Sequence, residues 1–341
     1  SGFTDKQRHA ARRPDIPPHL QDWFAPFVAY RWSDYEVKFP ERHRQLNIEY
    51  CTGNSETLRA CVQPYIDNGR LRVHLNLAAP DDLVLPHLDA TGYSPRNDEF
   101  PGWQKFVGHV IRTEAPHGVS RPLIMDATVE QIDGYRFLYL LPFSDHELLV
   151  EDTYFSDTPD LSENEIGSRL ESYIQDKGWG AYRTVRREKG VLPMMMATDR
   201  HDRSAKIGLG GGFAVAATGF TVPHAVEVAD VIAQAIKTDG AEAAPGAVAK
   251  FRRYHLRRER YARLLNRMFF WAATPEKRFI VLQRFYGLNE GLIRRFYRND
   301  LTWRDKLRIL IGKPPVPVLK ALANFSERQF IRRERTQKDV S

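Results

Sequence analysis

Leu148-Leu149-Val150-Glu151-Asp152-Thr153-Tyr154-Phe155 runs three aliphatic residues into two adjacent carboxylates, a threonine and two aromatics. The pattern predicts a buried strand that carries an acid near its end. Two readings stay open at this point. An edge strand ending in solvent would leave Glu151 and Asp152 as hydrated caps on the sheet. An acid held in an apolar pocket instead has its charged form disfavoured, keeps its proton to higher pH and can deliver it as a general acid. Upstream, Tyr135-Arg136-Phe137-Leu138-Tyr139-Leu140-Leu141-Pro142 alternates aromatic and aliphatic residues and predicts the neighbouring strand, with Phe143 to His146 as the turn. The pair reads as a hairpin that carries an acid into an aromatic-lined cavity.

Further strands are predicted at Trp103 to Ile111 and Leu123 to Val129, giving four apolar, aromatic-rich strands between positions 103 and 155. A predominantly antiparallel sheet with one face against an apolar space follows. Earlier in the chain, Tyr35 to Pro40 alternates in the strand manner, and Leu71 to Leu77 is the cleanest period-two segment. Leu83 to Gly92 reads as a short strand entering a small-residue turn, where backbone can come close to a ligand. Helices are predicted to start over Ser55 to Ala60 with Ser55 as N-cap, and over 162–177 with Ser162 as N-cap, Glu165 completing a capping box, and Gly178 as the stop.

A second informative segment is Ile207-Gly208-Leu209-Gly210-Gly211-Gly212, continuing through Thr218-Gly219-Phe220-Thr221-Val222-Pro223 into a helix whose inward face is Ala225, Val228, Ala229 and Ile232. A glycine-rich loop leading to a helix N-terminus can cradle an anion or cofactor with its backbone N–H groups. It is neither GxGxxG nor a Walker loop, and a close crossing of helix and strand would use the same small residues. After a small-residue linker at 241–246, everything is predicted helical, with one helix opening at Thr274-Pro275-Glu276 and another capped by Thr302 and Asp305.

The chain has 341 residues, 42% hydrophobic and 27% charged, enough for a real core and more than one packed unit. Cys51 and Cys61 show no ligand spacing, which predicts reduced thiols in a cytoplasmic protein and no metal site. No apolar run has transmembrane length. The net charge of +7 is uneven: residues 250–341 hold 24 Lys and Arg against 8 Asp and Glu, leaving 26 against 35 elsewhere. Such a basic block can meet nucleic acid, anionic lipid headgroups or the chain's own acidic body. No nucleic-acid-binding signature accompanies it, so nucleic acid is not expected as a partner.

These motifs, taken in order, resemble the bacterial lycopene beta-cyclases, a family of flavin-dependent carotenoid cyclases. The resemblance spans about Trp23 to Ala323. It rests on Ala29-Tyr30-Arg31-Trp32, Tyr35 to Pro40, Gly102-Trp103-Gln104-Lys105-Phe106 and Arg121 to Val129. It continues through Asp133 to Phe137, Val150 to Tyr154, Gly190-Val191-Leu192-Pro193, Thr218 to Pro223 and Gly312-Lys313-Pro314-Pro315-Val316-Pro317. It implies an α/β (α+β) fold of the FAD-dependent aromatic-hydroxylase type in two domains. Nothing resembling that family's opening strand and GxGxxG loop precedes Trp23, so the nucleotide-binding domain is expected to be N-terminally incomplete. The segment from Leu77 to Gly92 is short, and Thr91 stands where the family tends to have arginine. The implied division is 1–100 as a remnant of the FAD domain, 101–190 as the substrate sheet, 191–240 as the FAD-contacting loop and helix, and 241–341 as the basic helical region.

The implied reaction is cyclisation of lycopene ends to beta-rings, an acid-catalysed isomerisation without net redox change. Glu151 is the implied acid, Asp152 an alternative, and Asp126 a positioning group. Trp103, Tyr135, Phe137 and Tyr139 would offer aromatic faces to a carbocation. Asp89, Gly92, Gly210, Gly211, Gly212, Thr218 and Gly219 are the implied contacts to reduced FAD, with NAD(P)H as its reductant. A membrane surface is the implied partner of the basic block and its Phe269-Phe270-Trp271. The same residues are compatible with a flavin monooxygenase acting on an apolar substrate, or with a silent carotenoid or lipid binder.

Overall fold

The computed structural model describes residues 8–11, 15–75, 87–93, 100–197, 205–311 and 318–338. Its centre is a seven-stranded sheet in the order β10-β6-β9-β8-β7-β3-β4. These strands are β3 (Tyr35–Phe39), β4 (Arg42–Leu46), β6 (Phe100–Thr113), β7 (Leu123–Asp126), β8 (Tyr135–Pro142), β9 (Glu147–Ser156) and β10 (Tyr182–Ala197). The expected hairpin is β8 and β9, paired antiparallel from Tyr135–Phe155 to Pro142–Leu148. All neighbours are antiparallel except β3 and β7, which run parallel. A smaller antiparallel sheet, β1-β5-β2, is built from β1 (Arg8–Ala11), β2 (Tyr30–Trp32) and β5 (Tyr50–Asn54). The large sheet draws strands from both sides of positions 100 and 190.

The helices are α1 (Gln21–Phe24), α2 (Ser55–Asp67), α3 (Glu163–Asp176), α4 (Val222–Asp239), α5 (Ala244–Arg258), α6 (Arg260–Arg267), α7 (Arg278–Phe285), α8 (Glu290–Tyr297), α9 (Trp303–Leu310), α10 (Val318–Ala323) and α11 (Glu327–Lys338). They cover the sheet unequally. Alternate residues of β8 and β9, Leu138, Leu140, Leu148 and Val150, pack with Leu170, Tyr173 and Ile174 of α3. The opposite set, Tyr135, Phe137, Leu141, Leu149 and Phe155, joins a larger core with Phe269, Phe270, Tyr286, Leu292 and Ile293 from the C-terminal helices. The two faces are apolar for different partners, which the strand alternation alone does not distinguish.

Several local expectations are corrected. Leu71 to Leu75 forms no strand; Leu71, Val73 and Leu75 are exposed, because period-two patterning needs a partner strand to become a sheet. Asn76 to Pro86 lies outside the described residues, and Asp89 makes one isolated parallel bridge with Lys206. Asn54, not Ser55, caps α2, with Thr57 completing the box. Ser162 and Glu165 make no capping box; Ser162 serves α3 through its backbone carbonyl. Thr302 and Asp305 do form one. On α4 the inward residues include His224, Val226 and Val228, while Ala225 is exposed. The 241–246 linker is a single turn that runs into α5.

Part of the basic block is turned inward. Arg278 donates to both oxygens of Asp157 at 2.7 and 2.9 Å and to the carbonyls of Phe155 and Phe270. Arg267 donates to the carbonyls of Met196, Asn324 and Phe325, and Arg263 pairs with Glu327 at 2.8 Å. These buried guanidinium groups tie the C-terminal helices to the sheet, using five fixed donors each to satisfy carbonyls at strand and helix ends. Phe269 and Phe270 are buried in the core rather than presented to a surface.

Candidate active site

Glu151 lies on β9 on the same face as Leu149, Thr153 and Phe155, turned toward the C-terminal core. The hydroxyl of Thr153 donates to its Oε1 at 2.8 Å. Burial pushes the Glu151 carboxyl up to about 8, and the negative fields of Glu188 and Asp152 act in the same direction against the Thr153 hydrogen bond. Glu188 comes from the edge strand β10. Its carboxyl is also raised by burial, with Arg186 opposing the rise. An acid that is protonated at neutral pH on an apolar face is a competent proton donor.

A cavity of about 150 Å³ lies between this face and the helices. Tyr139, Phe155, Met125 and Met194 form its sheet side, and Phe269, Phe285 and Phe296 are among its helical walls. Tyr139 joins the acid to the cavity: it is the cross-strand partner of Glu151 and it lines the cavity wall.

The remaining implied site residues divide by face. Asp152 points to the opposite side, where Arg136 grips it with Nε and Nη2 at 3.0 and 2.9 Å and the Tyr154 hydroxyl donates at 2.9 Å. Asp126 is also on the α3 side, accepting from Thr128 and, at 2.8 Å, from Tyr173. Burial would raise Asp126, but these hydrogen bonds outweigh it and hold the carboxyl below its ordinary range. Both carboxylates are held by partners on the α3 side, and neither they nor Glu151 itself is among the residues lining the cavity, which Glu151 approaches through its cross-strand neighbour Tyr139. Trp103 faces away from Gln104, edge-on to Tyr93. Tyr135 and Phe137 are fully buried, stacked at 4.8 Å, and support the wall from behind. Of the four implied aromatic faces, Tyr139 is the one that borders the cavity among the described residues.

The glycine-rich segment wraps the β10 edge. Gly210 and Gly212 share a pocket of about 40 Å³ with Pro193 and Met195, while Thr218 borders the larger cavity with Gln104 and Met194. A Cβ on Gly210 would sit 2.2 Å from the carbonyl oxygen of Gly92, so the implied residues Gly210 and Gly92 do meet, as backbone packed on backbone. Asp89 is bridged to the segment entering this loop, its backbone carbonyl accepting from Ile207 N–H at 2.8 Å. Gly211 offers its carbonyl to Arg252, Gly212 to His255, and Ala216 N–H reaches Glu259. The loop is thus braced by α5 and the start of α6. His224, His255 and Glu259 place ligand-type atoms within 4.8 Å of one another. Arg258 approaches His224 Nδ1 at 3.5 Å and bonds Glu227, so a guanidinium already supplies positive charge there.

The fit to a flavin is therefore uneven. Around Gly210 and Gly212 the open space among the described residues is small, about 40 Å³, and Gly210 packs directly on the Gly92 backbone. Thr218 lines the cavity, and Gln104 Oε1, buried and without a hydrogen-bond partner among the described residues, faces the neighbouring Gly219. An orphan acceptor beside a flat apolar space suits an N–H on the edge of an aromatic ring system. Gln104 and Glu188 were missed by sequence reasoning: Gln104 sits inside a recognised motif but reads as an ordinary strand residue, and Glu188 sits in a charged run, Arg186-Arg187-Glu188-Lys189, that reads as solvated.

The profile of the lycopene cyclase protein family matches residues 84–323. A lycopene beta-cyclase of Paracoccus sp. is 39% identical, covering 97% of this chain and 90% of that protein. One from Pantoea ananas is 36% identical over 90% of this chain and 84% of its own. Among solved structures, a geranylgeranyl bacteriochlorophyll reductase-like protein of Thermoplasma acidophilum covers 93% of this chain and 88% of its own at 11% identity, with a TM-score of 0.55. An HpxO variant of Klebsiella pneumoniae complexed with FAD covers 91% and 90% at 13% identity, with a TM-score of 0.52. The fold is that of the FAD-dependent oxidoreductases and hydroxylases, and by sequence the chain belongs to the lycopene cyclase family.

Proposed function

We propose that the chain is a lycopene beta-cyclase in which Glu151 is the general acid. The observation that carries this reading is a carboxyl with a raised pKa on the cavity-facing side of the sheet, cross-strand from an aromatic that lines the cavity. Protonating a terminal alkene produces a tertiary carbocation, which needs a poorly solvated acid, exclusion of water and π-rich surroundings. Glu151 supplies the proton from its O–H. Tyr139 offers its ring to the cation, and Phe155, Phe269 and Phe285 keep water from it. The nearby alkene attacks the cation to close the ring, and loss of a ring proton restores neutrality, so the product is an isomer of the substrate. The cavity accommodates an end of a long polyene rather than its whole length.

Thr218, Gly219 and Gln104 are the residues that would hold the ring of a flavin, FAD being the implied form. When bound and reduced, it would supply negative charge that favours the cation, with NAD(P)H as reductant. The polyene partner dissolves in membranes, and the surface fits docking there. No helix among the described residues is long and apolar enough to cross a bilayer. However, α9 exposes Trp303 and Leu307 at four-residue spacing beside Arg304 and Arg308, Ile311 is exposed just past its end, and α10 exposes Leu319 and Leu322. Such faces bind at the headgroup level of an anionic membrane from the cytoplasmic side.

The test is lycopene conversion by the full chain with reduced FAD. Wild type should form beta-rings without stoichiometric NAD(P)H consumption, and Glu151→Gln should lose at least about a thousandfold in rate with its fold intact. Retained activity in Glu151→Gln, or oxygenated product matched to NAD(P)H use, would sink the assignment.

A further inference from the structure

Glu188, Gly108 and Glu151 stand side by side across three strands. Gly108 of β6 pairs with Glu188 on β10 in one direction and with Glu151 on β9 in the other. Residues in one cross-strand row project to the same face, and the outer two rows lie roughly 10 Å apart at the backbone. The glycine between them has no side chain. A Cβ on Gly108 would lie 3.0 Å from Glu188 Cγ and 3.4 Å from Glu151 Cβ, so both glutamates lean over the same gap. Glutamate side chains are long enough to close that distance from both sides, and any larger residue at 108 would stand between them.

The surroundings of the two are not equivalent. Arg186, two residues before Glu188 on the same face of β10, places its Nε 3.9 Å from Glu188 Oε2. Glu151 has no cation of its own on that face among the described residues. It faces Tyr139 from β8, Leu149 and Thr153 along β9, and Glu188 across β6; the carboxyl of neighbouring Asp152 points to the other side, into Arg136.

We propose that Glu188 and Glu151 form a carboxylate pair over Gly108, in which Arg186 makes Glu188 the more readily ionised member and the shared proton resides on Glu151. Glu188 is then a positioning residue for the proton, and this inference rests on Glu151 being the acid. Two carboxylates in one low-dielectric gap do not both ionise at neutral pH, and the member nearer a cation takes the charge. In the reaction the Glu151 O–H bond breaks as a C–H bond forms at the alkene terminus, leaving two adjacent carboxylates. Their repulsion makes the Glu151 carboxylate a stronger base, suited to taking a proton from the ring carbon beside the cation. The electron pair of that C–H bond becomes the new alkene, and the pair returns to its starting charge with no oxidant or reductant used.

The test is a pH titration of the chain by two readouts. Infrared difference spectra follow the protonated carboxyl C=O band, which Glu151→Gln removes; in Glu188→Gln the pH at which that band disappears should fall by about one unit or more, and Glu188→Asp should restore it in part. Arg186→Met should move it the other way or divide the proton between both residues. Lycopene conversion should lose activity on the alkaline side at correspondingly lower pH in Glu188→Gln. A carboxyl band that titrates at the wild-type pH in Glu188→Gln overturns the pair. Because the infrared readout needs no substrate, that failure is separable from failure of the cyclase reading, which shows as a wild-type chain unable to convert lycopene.

Discussion

Tyr139 sits directly across from Glu151 in the β8–β9 ladder, and its ring lines the cavity that the C-terminal helices close over. Aromatic and acid are thus fixed relative to each other by backbone pairing, not by mobile loops. A site built on a strand pair keeps its geometry when the cavity fills.

This relationship predicts a graded response at position 139. Tyr139→Phe retains the ring and should keep kcat within about threefold. Tyr139→Leu removes the π-face and should lower kcat by about five- to thirtyfold, the equivalent of 1–2 kcal/mol for a desolvated cation–π contact. KM should move less, because the cation exists only after proton transfer. Equal losses in Phe and Leu variants would assign the effect to the hydroxyl instead.

The raised acid also makes a stability prediction with a definite sign. In the unfolded chain Glu151 ionises near its ordinary value of 4.5, whereas in the folded chain it holds its proton to about 8. Between those values the folded state binds more protons than the unfolded, so stability falls as pH rises through that window. Glu151→Gln, which cannot ionise, should therefore unfold at higher temperature than wild type at pH 8, by roughly 1–3 kcal/mol, with the gap shrinking toward pH 5. Denaturant unfolding at the two pH values measures it. Glu227 is the opposite case: burial opposes it, but His224 and Arg258 hold its carboxyl near 2. Its contribution is present above the ordinary carboxylate range and disappears as pH falls toward 2, so Glu227→Gln should be destabilised at pH 7 and converge on wild type in acid.

The hairpin was legible because β8 and β9 alternate strongly and are bounded by a short turn. What alternation left open was the choice between neighbours: Leu148, Val150 and Asp152 form one apolar-flanked row, and Leu149, Glu151 and Phe155 another. Only the packing of α3 on the first row and of α7 and its neighbours on the second separates the two carboxylates. β10 was not legible as a strand, since its first half alternates charged, half-exposed residues as the edge of the sheet. Glu188 acquires meaning only through a register across β6, a non-local fact. The basic block divides in a way its composition does not show. Its arginines looked like a surface field, yet Arg263, Arg267 and Arg278 are buried, bonded to strand and helix carbonyls and to acids far away in sequence.

Gln104 offers a test of the cofactor side that does not depend on turnover. Its buried Oε1 lacks a partner beside Gly219, so a ring N–H that reached it would remove an existing penalty. Gln104→Leu should weaken binding of reduced and oxidised FAD by about tenfold, read from quenching of flavin fluorescence, while leaving the unfolding temperature unchanged or raised. Binding as tight as wild type would place the flavin ring elsewhere.

Asp152 provides the sharpest control on which carboxylate acts. It is fully buried and held in a bidentate pair by Arg136, with the Tyr154 hydroxyl on the same oxygen as the Nη2 donor. Removing its charge strands a guanidinium on the α3 side of the sheet, and breaking such a pair costs about 3–5 kcal/mol. Asp152→Asn should therefore lower the unfolding midpoint sharply, and pairing it with Arg136→Met should recover much of the loss, since both charges then leave together. Neither change touches the face that carries Glu151, so specific activity per folded molecule should stay within a few-fold of wild type. A stable but inactive Asp152→Asn would reverse the roles of the two acids.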